Sequence, residues 1–164
     1  MTERSVQQAM AGWVGWFMLT ALTASVGGIA SINASEFYEQ LIQPPWAPPP
    51  WLFGPAWSVL YLLMALSVCL VWKAGTLARY PLEFGLFTCQ LVLNGLWSWL
   101  FFSWGLGGFA LVEIVLLFAT ILITARLFWR VRPAAGLLLV PYLCWVGFAG
   151  LLNLNLWLLN PSML

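Results

Sequence analysis

The sequence predicts an all-α integral membrane protein, a bundle of five transmembrane helices with a long first loop rich in proline and tryptophan. Composition is the first observation behind this prediction. Of the 164 residues, 63% are hydrophobic and 7% are charged, whereas about 25% are charged in an ordinary soluble domain. A soluble domain of ~150 residues still exposes nearly a third of its unfolded surface. The composition therefore excludes a soluble enzyme, a nucleic-acid-binding protein and a disordered chain.

Five long apolar segments are the second observation. A helix of about 20 apolar residues crosses the ~30 Å hydrocarbon core of a bilayer. Lipid offers no partner to a free backbone group, so each segment is expected to be helical. No cleavage site follows the first segment, and we expect it to be a retained span rather than a signal peptide. We predict a single domain over residues 1–164, with spans near 12–32, 51–72, 82–104, 108–129 and 135–159.

The distribution of positive charge is the third observation. All six Lys and Arg residues fall in the N-terminal tail, the second loop and the fourth loop, and the other connections contain none. By the positive-inside rule, the N-terminus lies inside and the C-terminus outside. We expect a multi-pass protein of a bacterial cell membrane, with the first loop on the outer side. The cations are Arg4, Lys73, Arg79, Arg126, Arg130 and Arg132.

The first loop, residues 33–50, differs from the other connections in its length. Ser35 is a plausible N-cap for a short helix over residues 35–42. Five prolines then surround Trp46 and predict a stiff, extended segment. Two interpretations remain open: a rigid connector, or a lid over a cavity. Tyr38 and Trp46 argue against a disordered loop.

Two residues interrupt the apolar pattern of the later spans. Pro141 should kink or locally open the fifth helix, because it has no N–H to donate to the carbonyl of Leu137. Glu113 is the only acidic residue well inside a span. We expect it to accept hydrogen bonds from backbone or indole donors and so tie the third loop to the fourth span. A proton relay is the alternative.

No metal site, disulfide framework or bound cofactor is predicted. Histidine is absent, which removes the commonest metal ligand and general base. The three cysteines form no CxxC pair and lie inside apolar runs. We expect Cys69, Cys89 and Cys144 to be small buried hydrophobic side chains.

The half of the bundle beneath the first loop gathers indoles, amides and small residues. Trp57 and Trp97 lie about two turns into their spans, Asn94 lies one turn deeper, and Trp145 lies near the middle of the fifth span. The first span contributes small residues such as Ala24. Interface anchoring does not explain a mid-span indole. A ligand cavity is one interpretation; a structural bond for Asn94 and lipid or core packing for the indoles are the alternatives.

Specific motifs resemble those of a known family. The run PPWAPPPWLFGPAW over residues 44–57, followed by Tyr61, resembles the signature of the tryptophan-rich sensory protein (TspO/MBR) family. That family includes the mitochondrial translocator protein, also called the peripheral benzodiazepine receptor. NGLWS at 94–98, ALVE at 110–113 and VPYLCW at 140–145 also agree with it. The resemblance covers nearly the whole chain.

The resemblance implies a five-helix bundle, often a homodimer, with a hydrophobic pocket that the first loop closes. Its ligands would be porphyrins such as protoporphyrin IX and haem, or other hydrophobic small molecules. Motif matching assigns the pocket to Trp57, Asn94, Trp97 and Trp145 and the lid to Tyr38 and Trp46. The candidate ligand-binding residues are Ala24, Tyr38, Trp46, Trp57, Tyr61, Asn94, Trp97 and Trp145.

We interpret the chain as a membrane receptor for porphyrins with a regulatory or stress-sensing role in tetrapyrrole metabolism. Its partners would be the ligand, the lipid bilayer and a second copy, and no nucleic acid. One alternative is a light-dependent porphyrin-degrading enzyme, with Trp57 and Trp145 as catalytic residues. Another is a transporter of tetrapyrroles or sterols. The family's cholesterol-recognition pattern is absent, because residues 153–158 hold no Tyr followed by Lys or Arg.

Overall fold

The computed structural model describes the backbone of residues 3–164 and the side chains of residue 7 and of residues 10–164. The side chain of Arg4, one of the six cations behind the predicted orientation, lies outside the described residues.

Within the described part of the chain, five helical segments are long and apolar enough to cross a membrane, and they confirm the predicted fold class. The shortest has 21 residues, which at 1.5 Å per residue spans about 32 Å, the thickness of a bilayer core. The segments are Met10–Ala30, Pro50–Ala74, Pro81–Ser103, Gly107–Val131 and Pro133–Leu159.

Seven α-helices make up these spans and one connection. They are α1 (Glu3–Ala30), α2 (Ala34–Gln40), α3 (Phe53–Ala74), α4 (Pro81–Ser98), α5 (Gly107–Val131), α6 (Pro133–Leu138) and α7 (Val140–Leu159). A 3-10 turn, Pro50–Leu52, precedes α3. Helix α1 packs against α3 and α4, α5 packs against α4, α6 and α7, and α6 also contacts α3.

The first loop contains the short helix α2, but Ser35 is not its N-cap. The helix starts at Ala34, and Asn33 holds the capping position without a side-chain hydrogen bond. A hydrogen-bonded turn joins α1 to α2, because the Ala34 N–H donates to the Ser31 carbonyl (3.1 Å) and the Phe37 N–H donates to the Asn33 carbonyl (3.0 Å). The helix therefore begins from a backbone turn and has no side-chain cap.

The third span ends in a π-helical turn, Trp99–Ser103. The Trp104 N–H donates to the Trp99 carbonyl five residues earlier, at 2.9 Å. Gly105 then adopts a φ of 61°, a value open to glycine at little steric cost. This turn lets a very short loop lead directly into α5.

The fifth span is broken at Leu139, between α6 and α7, which confirms the effect expected of Pro141. Pro141 lies in the first turn of α7, where a missing N–H costs no helical hydrogen bond. At the break, the Leu139 N–H donates to the carbonyl of Gly136, three residues earlier, at 3.1 Å. The span therefore consists of a short helix of 6 residues followed by a long helix of 20.

The half of the bundle on the N-terminal side is filled with aromatic side chains. Trp16 stacks on Phe84 with 5.1 Å between ring centroids, and Phe87 stacks on Phe128 at 5.8 Å. Met64 is fully buried among them. We call the opposite half, next to the first loop, the loop side.

The cysteines do not all behave as predicted. Cys69 is buried, but Cys89 and Cys144 are exposed on outward helix faces, so the expectation of burial was wrong for these two. Lipid tails are as apolar as a protein core. A small apolar side chain is therefore as well accommodated on a lipid-facing surface as inside the bundle.

Candidate functional site

A cavity of about 310 Å³ lies on the loop side, beneath the first loop. Its walls come from α1, α2, α3, α7 and the end of the third span. None of the described residues that line it carries a charge. The lining comprises Ala24, Gly27, Gly28, Ser31, Ala34, Ser35, Tyr38, Pro50, Phe53, Gly54, Trp57, Tyr61, Trp97, Ser98, Phe102, Trp145 and Ala149.

Aromatic rings form one wall of the cavity. Trp57 and Trp145 meet edge to face, with ring centroids 6.5 Å apart and planes at 82°. Trp57 also packs against Tyr61 at 5.6 Å. Edge-to-face contacts are a favoured geometry for such rings. They hold the indoles in fixed orientations while leaving ring surface open to the cavity.

The opposite wall is built from small residues of α1. A Cβ added at Gly27 would lie 3.4 Å from the Ser98 Oγ and 3.7 Å from the Tyr61 Oη. A Cβ added at Gly28 would meet nothing within 4 Å. The glycines thus keep α1 from filling the space between the helices.

The first loop covers the cavity and is held in place by hydrogen bonds. The Tyr38 hydroxyl donates to the Pro48 carbonyl at 3.2 Å, and the Gln43 Nε2 donates to the Tyr38 carbonyl at 2.7 Å. Burial raises the pKa of Tyr38 to about 12, so the phenol keeps its proton across the physiological range. Tyr38 and Pro50 both face the cavity.

Asn160, just beyond α7, fastens the loop to the bundle. Its Oδ1 accepts the Ile42 N–H at 2.8 Å, and its Nδ2 donates to the Ile42 carbonyl at 3.0 Å. One buried amide therefore pairs with both backbone groups of a loop residue 118 positions earlier.

Asn94 lies behind the cavity wall rather than on it. Its Oδ1 accepts the Tyr61 hydroxyl at 2.5 Å, and its Nδ2 donates to the Tyr142 hydroxyl at 3.0 Å. Tyr61 lines the cavity, whereas Asn94 and Tyr142 are buried and do not. The asparagine thus fixes the orientation of a lining side chain and links three helices.

The structure brings six of the eight residues proposed from sequence to the cavity: Ala24, Tyr38, Trp57, Tyr61, Trp97 and Trp145. Asn94 supports the wall as described. Trp46 lies on the outer surface, 46% exposed, and packs edge to face on Phe148 at 5.8 Å.

Several lining residues escaped the sequence analysis. Phe102 packs against Trp97 at 5.6 Å between centroids. The π turn brings it there, because its hydrogen bonds join residues five apart and shift the helical register. Phe53 belongs to the PPWAPPPWLFGPAW run and could have been selected with it. Ser98 belongs to the NGLWS run and could have been selected in the same way, whereas Ala149 lies in none of the quoted motifs.

Glu113 does not perform the task expected of it. Both carboxyl oxygens are buried and have no hydrogen-bond partner among the described residues. The third loop is tied instead by Asn153, whose Nδ2 donates to the Gly107 carbonyl at 2.9 Å and whose Oδ1 accepts the Trp97 Nε1–H at 3.2 Å. Asn153 therefore accepts an indole N–H and holds the third loop, the two tasks expected of Glu113.

Comparison with known proteins places the chain among membrane proteins of one family. Residues 16–158 match the model of the TspO/MBR family. "Tryptophan-rich protein TspO" of Chlorobaculum tepidum is 44% identical over 130 residues, 78% of this chain and 82% of the relative. "Protein CrtK" of Rhodobacter capsulatus is 38% identical over 150 residues, 90% and 91% of the two chains. "Translocator protein" of Bos taurus is 37% identical over 149 residues, 88% and 87%.

Proposed function

The chain belongs to the TspO/MBR family, and on that premise we propose that its loop-side cavity is a receptor site for porphyrins such as protoporphyrin IX and haem. The observation that carries the proposal is the convergence of Trp57, Trp97 and Trp145 on one uncharged cavity. Family membership supports a membrane role in binding tetrapyrroles or sterols in general. The sensory or regulatory role in tetrapyrrole metabolism is part of the same proposal.

The chemistry of the cavity suits a flat aromatic ligand. A planar macrocycle gains apolar burial and ring contacts from several indoles at once. The uncharged lining offers no cation to a propionate group, so the carboxylates of a porphyrin would point toward the rim. Ser31 and Ser35 line that rim beside α2. The volume lies at the lower end of the range for ligand pockets, about 300–1,000 Å³, which favours a ligand that leaves its polar edge at the loop.

Fluorescence quenching tests this proposal. Protoporphyrin IX, titrated into the protein in detergent micelles, should quench tryptophan fluorescence with a micromolar or lower Kd. Trp57→Phe and Trp145→Phe should weaken binding because each removes an indole from the wall. Trp13→Phe is the matched control, since Trp13 is exposed on α1 and does not line the cavity. An absence of saturable quenching would refute the proposal.

Light-dependent degradation of the porphyrin is a second candidate function. It is favoured by one observation: both proposed catalytic residues, Trp57 and Trp145, line the same cavity in mutual contact. Illumination of the protein–porphyrin mixture tests it. A stoichiometric product that disappears in Trp57→Phe and Trp145→Phe would support catalysis, whereas binding without product would support the receptor alone.

Transport is less well supported. The word "translocator" belongs to the names of relatives. Met64 and Phe87 are fully buried in the hydrophobic core, which offers no support for a continuous path through the bundle.

The proposal includes an assembly and an orientation. We propose a homodimer in a bacterial cell membrane, with the N-terminus inside and the first loop outside. The charges on the described loops support the orientation, since Lys73, Arg79, Arg130 and Arg132 all lie at the side opposite the first loop. Reporter fusions to the C-terminus should report the outer compartment, and a signal from the cytoplasm would contradict the orientation. Light scattering in detergent should give the mass of two chains.

A further inference from the structure

A second concavity lies at the end of the bundle opposite the cavity. It is a groove of about 470 Å³ between α5 and the broken fifth span. Arg126 and Arg130 line its end nearest the membrane surface, with Trp129 beside them. Leu122, Val140 and Leu143 line the part that reaches toward the middle of the membrane.

The break in the fifth span shapes this groove. A Cβ added at Gly136 would lie 2.7 Å from the Ala125 carbonyl oxygen and 2.8 Å from the Trp129 Cβ. Helix α6 is therefore pressed against α5 at this point. The chain then breaks at Leu139, and α7 supplies the remaining wall through Val140 and Leu143.

None of the described residues that line the groove carries a negative charge. Arg126 and Arg130 are four residues apart and exposed, so they project from one face of α5 and repel each other. The acidic residues of the chain are Glu3, Glu36, Glu39, Glu83 and Glu113, and none lies on α6 or α7. Glu113 shares α5 with the pair but lies 13 residues from Arg126, about 20 Å along the helix.

We propose that this groove binds one anionic phospholipid from the leaflet on the N-terminal side. The lipid phosphate pairs with the guanidinium groups of Arg126 and Arg130, which suit phosphate oxygens. One acyl chain runs along the apolar part of the groove, which extends from Arg130 to Leu122 over about 12 Å of helix. Charge and apolar length together select a membrane lipid, because a free phosphate would leave the apolar part uncovered.

Native mass spectrometry of the detergent-solubilised protein tests this inference. Phosphatidylglycerol and phosphatidylcholine with identical acyl chains are added in turn, and bound lipid is counted. We expect phosphatidylglycerol to bind about tenfold more tightly. Inorganic phosphate at matched concentration should not displace it. Equal binding of the two lipids, or displacement by phosphate alone, would overturn the proposal.

Substitutions in the groove test the contribution of its charge and of its shape to lipid binding separately. Arg126→Gln with Arg130→Gln should abolish the preference, whereas Arg126→Lys with Arg130→Lys should retain most of it. Val140→Trp, which fills the apolar part, should weaken both lipids. Arg79→Gln is the matched control, because Arg79 lies at the same side of the bundle but outside the groove, over the Tyr80 ring. A loss in Arg79→Gln as large as in the double Gln variant would contradict a specific site.

Discussion

Three buried asparagines join segments that lie far apart in the chain. Asn94 links the hydroxyls of Tyr61 and Tyr142, Asn153 links an indole to the third loop, and Asn160 holds the first loop. An unpaired polar group in a dry interior is costly, so each amide is stable only when both of its ends are paired. These side chains therefore fix the relative positions of the elements around the cavity.

Replacement of Asn94 by alanine should destabilise the bundle. The hydroxyls of Tyr61 and Tyr142 would lose their shared partner, at a cost of about 1–3 kcal/mol for each buried group left unpaired. The free energy of unfolding in detergent micelles measures the effect. Asn155→Ala is the matched control, because the Asn155 Nδ2 bonds only to the Leu151 carbonyl one turn away. Equal losses in the two variants would contradict the bridging role.

The first loop should lose stability in strong alkali. Burial raises the pKa of Tyr38 to about 12, whereas the pKa of an exposed tyrosine is about 10. The closed loop keeps the proton that an opened loop would release, so the stabilisation is complete below pH ~10 and is lost as pH rises toward ~12. Absorbance titration of tyrosinate in the wild type and in Tyr38→Phe isolates this step. An ionisation of Tyr38 at the ordinary pH of a free phenol would contradict its burial.

At the scale of single residues, the sequence was most informative where a residue type has few structural explanations at its position. A mid-span indole such as Trp57 has no interfacial explanation, which directed attention to a cavity. A structural bond for Asn94 was one of the alternatives, but its partners could not be identified, because Tyr142 lies 48 residues later on another helix. The sequence indicated that the buried carboxyl group of Glu113 needs hydrogen-bond partners. It did not indicate that Asn153, and not Glu113, holds the third loop.

Two helix irregularities shape the loop-side cavity and the groove beside α5. The π turn Trp99–Ser103 carries Phe102 to the loop-side cavity, and the break at Leu139 shapes the groove beside α5. The break could be predicted from Pro141, because proline lacks the N–H that a continuous helix requires. No residue type in the run Trp99–Ser103 marks the π turn in a comparable way. The sequence could therefore predict one irregularity and not the other.

Substitution of Gly136 by alanine should separate α6 from α5. The added methyl group would meet the Ala125 carbonyl oxygen at 2.7 Å, and overpacking of this kind costs about 1–3 kcal/mol. Thermal unfolding in detergent is the measurement. Gly150→Ala is the control from the same span, because its Cβ would lie at an ordinary 3.6 Å from Ile114. If Gly136→Ala unfolds at the same temperature as Gly150→Ala, the contact between α6 and α5 is not tight and the prediction is wrong.

The whole molecule divides into a filled half and a half with a cavity. The fold could be predicted because a bilayer admits few structures, so that hydropathy alone locates five helices. The cavity could not be derived in the same way. It depends on the absence of a side chain at Gly27 and Gly28 opposite the indoles, and only the packing of α1 against α3 and α4 brings these surfaces together.

Filling the cavity from α1 is the most direct test of the receptor assignment. Gly28→Leu places an isobutyl group where a Cβ meets nothing within 4 Å, so it should occupy the ligand's space without disturbing the helices. Gly15→Leu is the matched control, since Gly15 lies on the same helix with equally open surroundings but outside the cavity. We predict that Gly28→Leu raises the Kd for protoporphyrin IX in the quenching titration by about tenfold or more, while Gly15→Leu leaves it unchanged. Equal affinity of both variants and the wild type would contradict binding in this cavity.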